Sequence, residues 1–314
     1  MHDLIFKNLA KTSSYFVIFV LICILFSLVF SSLPSLEKFG LNFLFSSDWD
    51  PVKNQFGALP AICGTLISSF IAILFAIPIG FGAAFFVSEI ASHKISRYIQ
   101  LAIDLIAGIP SIIFGMWGLL VLAPFLSDNV QPFFLELSKK FPLLKPFFFG
   151  PPIGLGLFTA GIILAIMILP LISSTLIEIF KSVPTVIKEA SYGIGATRAE
   201  VIFKIILPTC AKSLFGCVIL GLGRALGETM AITFVIGNSK ILTTSLFMPT
   251  TTISASIANE FNEASGELYS SALQDVDNNP LLLNQYLNDI YQNSTAFVES
   301  NEIWDRNELR QELN

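Results

Sequence analysis

Charge is scarce in this 314-residue chain. Asp, Glu, Lys and Arg make up only 13% of it, about half the roughly 25% usual in a soluble domain. Chemistry-bearing side chains are also few. There are two histidines and four cysteines (Cys23, Cys63, Cys210 and Cys217), with no Cys-x-x-Cys pair. That removes the usual zinc and redox frameworks. The cysteines lie in or beside apolar segments and read as buried small hydrophobes. No Gly is followed by Lys anywhere, so a G-x-x-x-x-G-K-[ST] phosphate loop is absent and no ATP hydrolysis is expected of the chain itself. Neither a basic, aromatic-interleaved patch for nucleic acid nor a nucleophile constellation is present. No catalytic residue, metal ligand or bound cofactor is assigned.

Apolar side chains are what the sequence does have: 54% of residues are hydrophobic and 30 are Phe. Uninterrupted apolar runs near the ~20-residue spanning length argue for membrane helices over a large soluble core. Five spans are expected, at about 15–33, 59–87, 99–125, 153–179 and 205–236. Pro78, Gly80 and Gly82 are expected to loosen the second. The first has a basic flank and ends at Pro34 without a small-residue cleavage site, so it reads as a retained span. Prolines and glycines inside spans are tolerated where neighbouring helices satisfy the freed backbone groups, which points to a packed bundle.

The net charge of −5 is unevenly spread. Residues 274–314 carry eight acids against Arg306 and Arg310, leaving the remaining chain at +1. With the N-terminus inside, nine loop Lys and Arg fall on the inner side and six on the outer, a bias in the expected direction. This topology puts residues 181–204 in the cytoplasm. The outer loop from Leu126 to Pro152, rich in Phe and Pro, reads as an interfacial helix, with a docking surface as the less specific alternative.

Two segments stand out. In the loop at 181–204, Pro184 suits a helix start, Glu189-Ala190-Ser191 its middle, and Gly193 and Gly195 its end. Thr197-Arg198-Ala199-Glu200 fits a capping box for the next helix. In the fifth span, Gly221-Leu222-Gly223-Arg224-Ala225-Leu226-Gly227-Glu228-Thr229-Met230-Ala231 places two full charges in an apolar run. Each charge at bilayer centre costs about 2.5–3.5 kcal/mol on insertion scales, so such groups face a bundle interior or a water-filled cavity. Arg224 and Glu228, four apart, are expected on one helix face. Two readings stay open. In one, Arg224 lines an anion pathway with Glu228 fixing its position; in the other, the two form an ion pair that sets helix register. Asp104 reads as an acid near a span end, snorkelling or partnered by Arg97.

The segment Glu189-Ala190-Ser191-Tyr192-Gly193-Ile194-Gly195, followed by Ile205-Ile206-Leu207-Pro208, resembles the EAA loop of ABC importer permeases. Ser191 replaces that family's second Ala. The run Gly223–Ala231 closed by Gly237-Asn238, the run Ala107–Gly118, and Ile257-Ala258-Asn259-Glu260-Phe261 are similar to motifs of PstC-type permeases of phosphate importers. The resemblance covers about residues 15–273. It implies an all-α fold: a polytopic membrane helix bundle of the type I ABC importer permease kind, with about five transmembrane helices plus a cytoplasmic coupling helix. It further implies an inner-membrane, multi-pass subunit of an ATP-driven phosphate importer. Its partners are a second, homologous permease, an ABC ATPase dimer that binds the ATP, and a periplasmic phosphate-binding protein. Arg224, Glu228 and Thr229 become the substrate-pathway residues. Glu189, Ala190, Ser191 and Gly195 become the ATPase contact.

The domain division expected is a cytoplasmic N-terminus at 1–14, a transmembrane domain at 15–273 with the coupling loop at 181–204, and an acidic polar tail at 274–314. Such permeases end with a sixth span, whereas this tail is too polar for one and reads as divergent or disordered. Two alternatives follow: a membrane scaffold that senses phosphate without transporting it, and a permease inactivated by its altered C-terminus.

Overall fold

The structure is a computed structural model and describes residues 2–40, 42–50, 53 and 55–260. The expected tail at 274–314 lies outside the described residues. Contacts divide the described residues into two units, one holding those up to 34 and the other those from 35 to 260. The first consists of most of α1 (His2–Phe39), a helix with Pro34 inside it. Its side chains from Tyr15 to Phe30 are predominantly apolar and exposed, as a lipid-facing span requires.

The second unit contains α2 (Leu59–Ile90), α3 (His93–Ala107), α4 (Ser111–Lys140), α5 (Leu157–Lys181), α6 (Thr185–Gly193), α7 (Arg198–Leu226), α8 (Met230–Val235) and α9 (Ile253–Glu260). Among the described residues there are five helices long and apolar enough to cross a membrane: α1, α2, α4, α5 and α7. The fold is an all-α membrane helix bundle, as the composition implied.

The core is built on α5, which is buried along most of its length. Helix α2 packs along it and carries a row of small residues at every fourth position, Gly64, Ser68, Ala72, Ala76, Gly80 and Ala84, all buried. In lipid no hydrophobic force drives helices together, so such small rows gain contact by letting backbones approach. Gly161 of α5 lies against Ile71, and Gly80 of α2 against Ile172, so the two helices run parallel. Helix α7 runs the other way: Cys210 Sγ donates to the Ile179 carbonyl at 3.5 Å and Cys217 Sγ to that of Ile172 at 3.8 Å. These directions are the alternation that successive bilayer crossings demand. Cys210 and Cys217 are buried as expected, whereas Cys63 is half-buried and Cys23 exposed on α1.

Among the described residues four wide π turns interrupt or end the helices, and three end two residues before a proline. They are Gly118–Leu122 before Pro124, Leu126–Val130 before Pro132, and Ile202–Ile206 before Pro208. Proline has no N–H and crowds the preceding turn; widening that turn absorbs both effects without ending the helix. Helix α4 therefore continues through Pro124 and Pro132 to Lys140. The stretch from Leu126 is its continuation, not a separate interfacial helix. Beyond it, Phe148 stacks on Phe134 at 5.0 Å and meets Phe247 at 5.2 Å, and Phe247 is fully buried.

Other expectations also change. Pro110 does break its helix, with ψ of 138°, so the span expected at 99–125 divides into α3 and α4. Asp104 belongs to α3 and makes no ion pair with Arg97 among the described residues. Helix α2 runs unbroken through Pro78 to Phe85, and Gly80 there serves helix contact, not loosening.

The segment from Ile236 to Thr252 is irregular, yet its backbone groups find partners inside the protein. Phe158 N–H donates to the Leu246 carbonyl, Leu246 N–H to Phe147, Thr250 N–H to Ile236, and Ile253 N–H to the Thr65 hydroxyl. Irregular backbone at membrane depth requires such burial in protein. Gly64 makes room for it, because any Cβ there would collide with the Thr251 carbonyl. Gly64→Ala should therefore destabilise the purified chain by about 1–3 kcal/mol, the range for overpacking. Gly82→Ala, with open space around it, should leave thermal unfolding unchanged or slightly raised. Equal melting temperatures for the two variants would refute the packing assigned to Gly64.

Candidate functional site

The apolar run that carries Arg224 is not one helix. Helix α7 ends at Leu226, Gly227 adopts φ −90° and ψ 2°, and α8 begins at Met230. The break turns the two charges apart. Arg224 lies in the last turn of α7 and is exposed. Glu228 is buried, with 6% of its surface accessible. Its Oε1 accepts a hydrogen bond from the Ala231 N–H at 3.2 Å, satisfying one of the free donors at the start of α8. Arg224 and Glu228 thus share no helical face and form no ion pair among the described residues. Thr229 occupies the position before α8, and its carbonyl accepts from the Thr233 hydroxyl at 2.8 Å.

The break is held from two sides. On one, α4 closes on α8 through glycine: a methyl at Gly115 would lie 2.8 Å from Ala231 Cα, and one at Gly118 would lie 3.0 Å from Val235. The motif containing Gly115 and Gly118 therefore packs directly against the motif containing Ala231. On the other side, α9 begins beside the end of α7, where the Ser254 hydroxyl reaches the Leu226 carbonyl at 3.5 Å. Residues 257–260, part of one of the motifs quoted above, form the end of α9; Phe261 lies outside the described residues.

The second locale is α6. Pro184 stands immediately before its first turn with ψ of 131°, and Gly195 follows its end at φ +89°, a left-handed conformation that glycine adopts without penalty. The capping box is complete. Thr197 Oγ1 accepts from the Glu200 N–H at 3.4 Å, and Glu200 Oε2 accepts from the Thr197 N–H at 3.0 Å. Glu189, Ala190 and Gly195 are exposed and Ser191 is buried, its hydroxyl donating to the Ile187 carbonyl at 2.6 Å. A serine fits the small-residue position because that internal bond leaves no unsatisfied polar atom. Val186, Tyr192 and Ile194 are exposed beside Glu189 and Ala190, Ile194 to 87%.

Sequence reasoning missed Lys188 and Glu89. Lys188 points inward from α6, with Nζ 2.6 Å from Glu89 Oε1 at the end of α2 and 3.2 Å from the Phe180 carbonyl in the last turn of α5. Both side chains are largely buried, at 15% and 12% exposure. Ninety-nine residues separate the pair, so no local pattern announces it. On α3, Gln100 bridges Glu178 and Lys181 of α5 in a more exposed position.

The model of binding-protein-dependent transport system inner membrane components matches residues 76–273, a stretch that includes both locales. The chain belongs to this family. Its sequence is 47% identical over 274 residues to the phosphate transport system permease protein PstC of Pasteurella multocida, covering 87% of this chain and 85% of that one. Identity to the PstC protein of Mesorhizobium japonicum is 50% over 271 residues, with coverage of 86% and 83%. To a probable PstC of Methanocaldococcus jannaschii it is 36% over 269 residues. These relatives make the chain a PstC-type permease, a multi-pass inner-membrane protein and not an enzyme. An inward-facing chain of the MetNI methionine ABC transporter superposes with a TM-score of 0.46 at 16% identity, covering 77% of this chain and 92% of that one.

The capping role of Glu228 in this PstC-type chain is open to direct measurement. Glu228→Gln keeps an acceptor for the Ala231 N–H and should retain stability. Glu228→Ala strands that buried donor and should cost about 1 kcal/mol, the usual loss of a helix cap. Thermal unfolding of the two purified variants distinguishes them, and identical curves would exclude the cap.

Proposed function

We propose that this chain is the permease subunit of an ATP-driven phosphate importer, forming part of the translocation pathway in the inner membrane. The observation that carries this reading is the 47–50% identity to PstC permeases across more than four-fifths of both chains. In the proposed topology the N-terminus (1–14) and the loop at 181–204 face the cytoplasm, and 15–273 is the transmembrane domain ahead of the acidic tail at 274–314. The exposed surface of α6, with Glu189, Ala190 and Gly195 beside Val186, Tyr192 and Ile194, meets a separate ABC ATPase dimer that binds and hydrolyses the ATP. Ser191 keeps the back of α6 close to the bundle. A second, homologous permease covers the open face of α7, and a periplasmic phosphate-binding protein delivers the anion.

Arg224 is the pathway residue. Its exposure at the end of a membrane helix, with no carboxylate paired to it among the described residues, suits its planar donors to a tetrahedral oxyanion. Glu228 and Thr229 shape the break that places it there. The backbone at 227–229 leaves the helix beside this cation, the arrangement in which irregular structure lines a cavity. Labelled-phosphate uptake is the test, in cells lacking their own PstC-type permease but retaining the other importer subunits. The chain should restore uptake. Arg224→Gln should lower it at least tenfold with membrane level and complex assembly unchanged. Normal uptake by that variant would remove Arg224 from the pathway.

A further inference from the structure

We infer that Lys188 and Glu89 are positioning residues, a clamp that fixes the coupling helix to the ends of two membrane helices so that the three move together. The inference rests on the importer reading above for what pushes α6. The clamp itself is a matter of geometry. Helix α6 is nine residues long, and Val186, Glu189, Ala190 and Tyr192 on its outer side are exposed. Inward it presents Ser191, whose hydroxyl is spent within α6, and Lys188.

The Lys188 ammonium contacts two elements at once: the Glu89 carboxylate in the final π turn of α2, and the Phe180 carbonyl one residue before the end of α5. A cation is favoured at the C-terminal end of a helix, where free carbonyls gather, and here one cation serves both ends. Those ends are already joined, since Phe81 of α2 packs edge-to-face on Phe180 at 5.5 Å. Helices α2 and α5 pack closely, with Gly80 of α2 against Ile172 and Gly161 of α5 against Ile71. A displacement of α6 held only by solvated contacts would be lost in side-chain motion. Through a buried, two-point ionic contact it is delivered to the α2–α5 pair as a unit.

Removing one member of a buried ion pair strands the other charge, so single variants alone would confuse lost coupling with lost folding. The test therefore uses Glu89→Gln, the double variant Glu89→Gln/Lys188→Met, which leaves no lone charge, and Lys188→Arg, which keeps both contacts. Backbone hydrogen exchange is read first, on the full chain in lipid nanodiscs. Amides at 188–193 should exchange at least tenfold faster in Glu89→Gln and in the double variant, with those of the α5 interior unchanged. Lys188→Arg should stay within about twofold of the unaltered chain. Unchanged exchange at 188–193 in the double variant overturns the clamp.

Phosphate moved per ATP hydrolysed is then measured in proteoliposomes holding the complete transporter. The ratio should fall at least fivefold in the double variant and be retained by Lys188→Arg. Lost protection with an unchanged ratio also overturns the proposal, because the helix would then be loose without consequence. An unaltered chain that moves no phosphate refutes the importer reading instead, and the exchange result still decides the clamp.

Discussion

A backbone amide or carbonyl at bilayer depth has no water to turn to, and most of this structure follows from that constraint. Inside the long helices the demand is met without help. At the breaks it is met by named partners: the Glu228 carboxylate for Ala231, the Thr65 hydroxyl for Ile253, and the carbonyls of Phe147 and Ile236 for the irregular stretch after α8. Each partner must be held in place, and close helix packing does that. Gly64, Gly115 and Gly118 are small because a backbone or a β-branched side chain stands where a larger residue would reach. Packing and hydrogen bonding are thus two aspects of one requirement. Close approach puts the acceptor within reach, and the satisfied donor makes irregular backbone tolerable in the interior.

Function is read from the places where that rule is strained. An uninterrupted α7 would carry Arg224 and Glu228 on one face, where they would neutralise one another. Ending the helix at Leu226 assigns Glu228 to the backbone of α8 and leaves Arg224 exposed, with no ion pair among the described residues. The same exchange appears at α6. Its outer residues are exposed, while Lys188 and the buried Ser191 face the bundle. In both locales one side chain secures the backbone so that a neighbouring surface stays open.

The number of spans was legible because apolar length is a strong and local signal; five were expected and five helices qualify. The capping box at Thr197 was legible for the same reason, both halves lying within four residues. The break at Gly227 was not. Apolar residues continue through it, no proline marks it, and the four-residue spacing of Arg224 and Glu228 fits a helix well. Pro110 was misread the other way, as a tolerated proline inside a span, although it ends α3. The row of small residues in α2 is visible in the sequence, but its partner in α5 begins some ninety residues later. Lys188 and Glu89 each look like ordinary loop charges until the fold sets them 2.6 Å apart.

The wide turns before Pro124, Pro132 and Pro208 have a consequence for helical phase. A π turn accommodates one residue more than an α turn, and one residue corresponds to about 100° around a helix axis. Helix α4 contains two such turns. A face traced at intervals of three and four from Gly115 is therefore displaced by roughly 200° before it reaches Gln131. The buried positions of α4 absorb that shift: Gly115, Gly118, Ala123, Leu126, Gln131 and Ser138 are spaced by three, five, three, five and seven, each five falling across a π turn, so one face stays turned to the bundle. The extra residue in each π turn is what keeps the later buried positions of α4 in line with the earlier ones. Removing one residue from either π turn would restore regular α spacing there and carry every later position of α4 about 100° off that face.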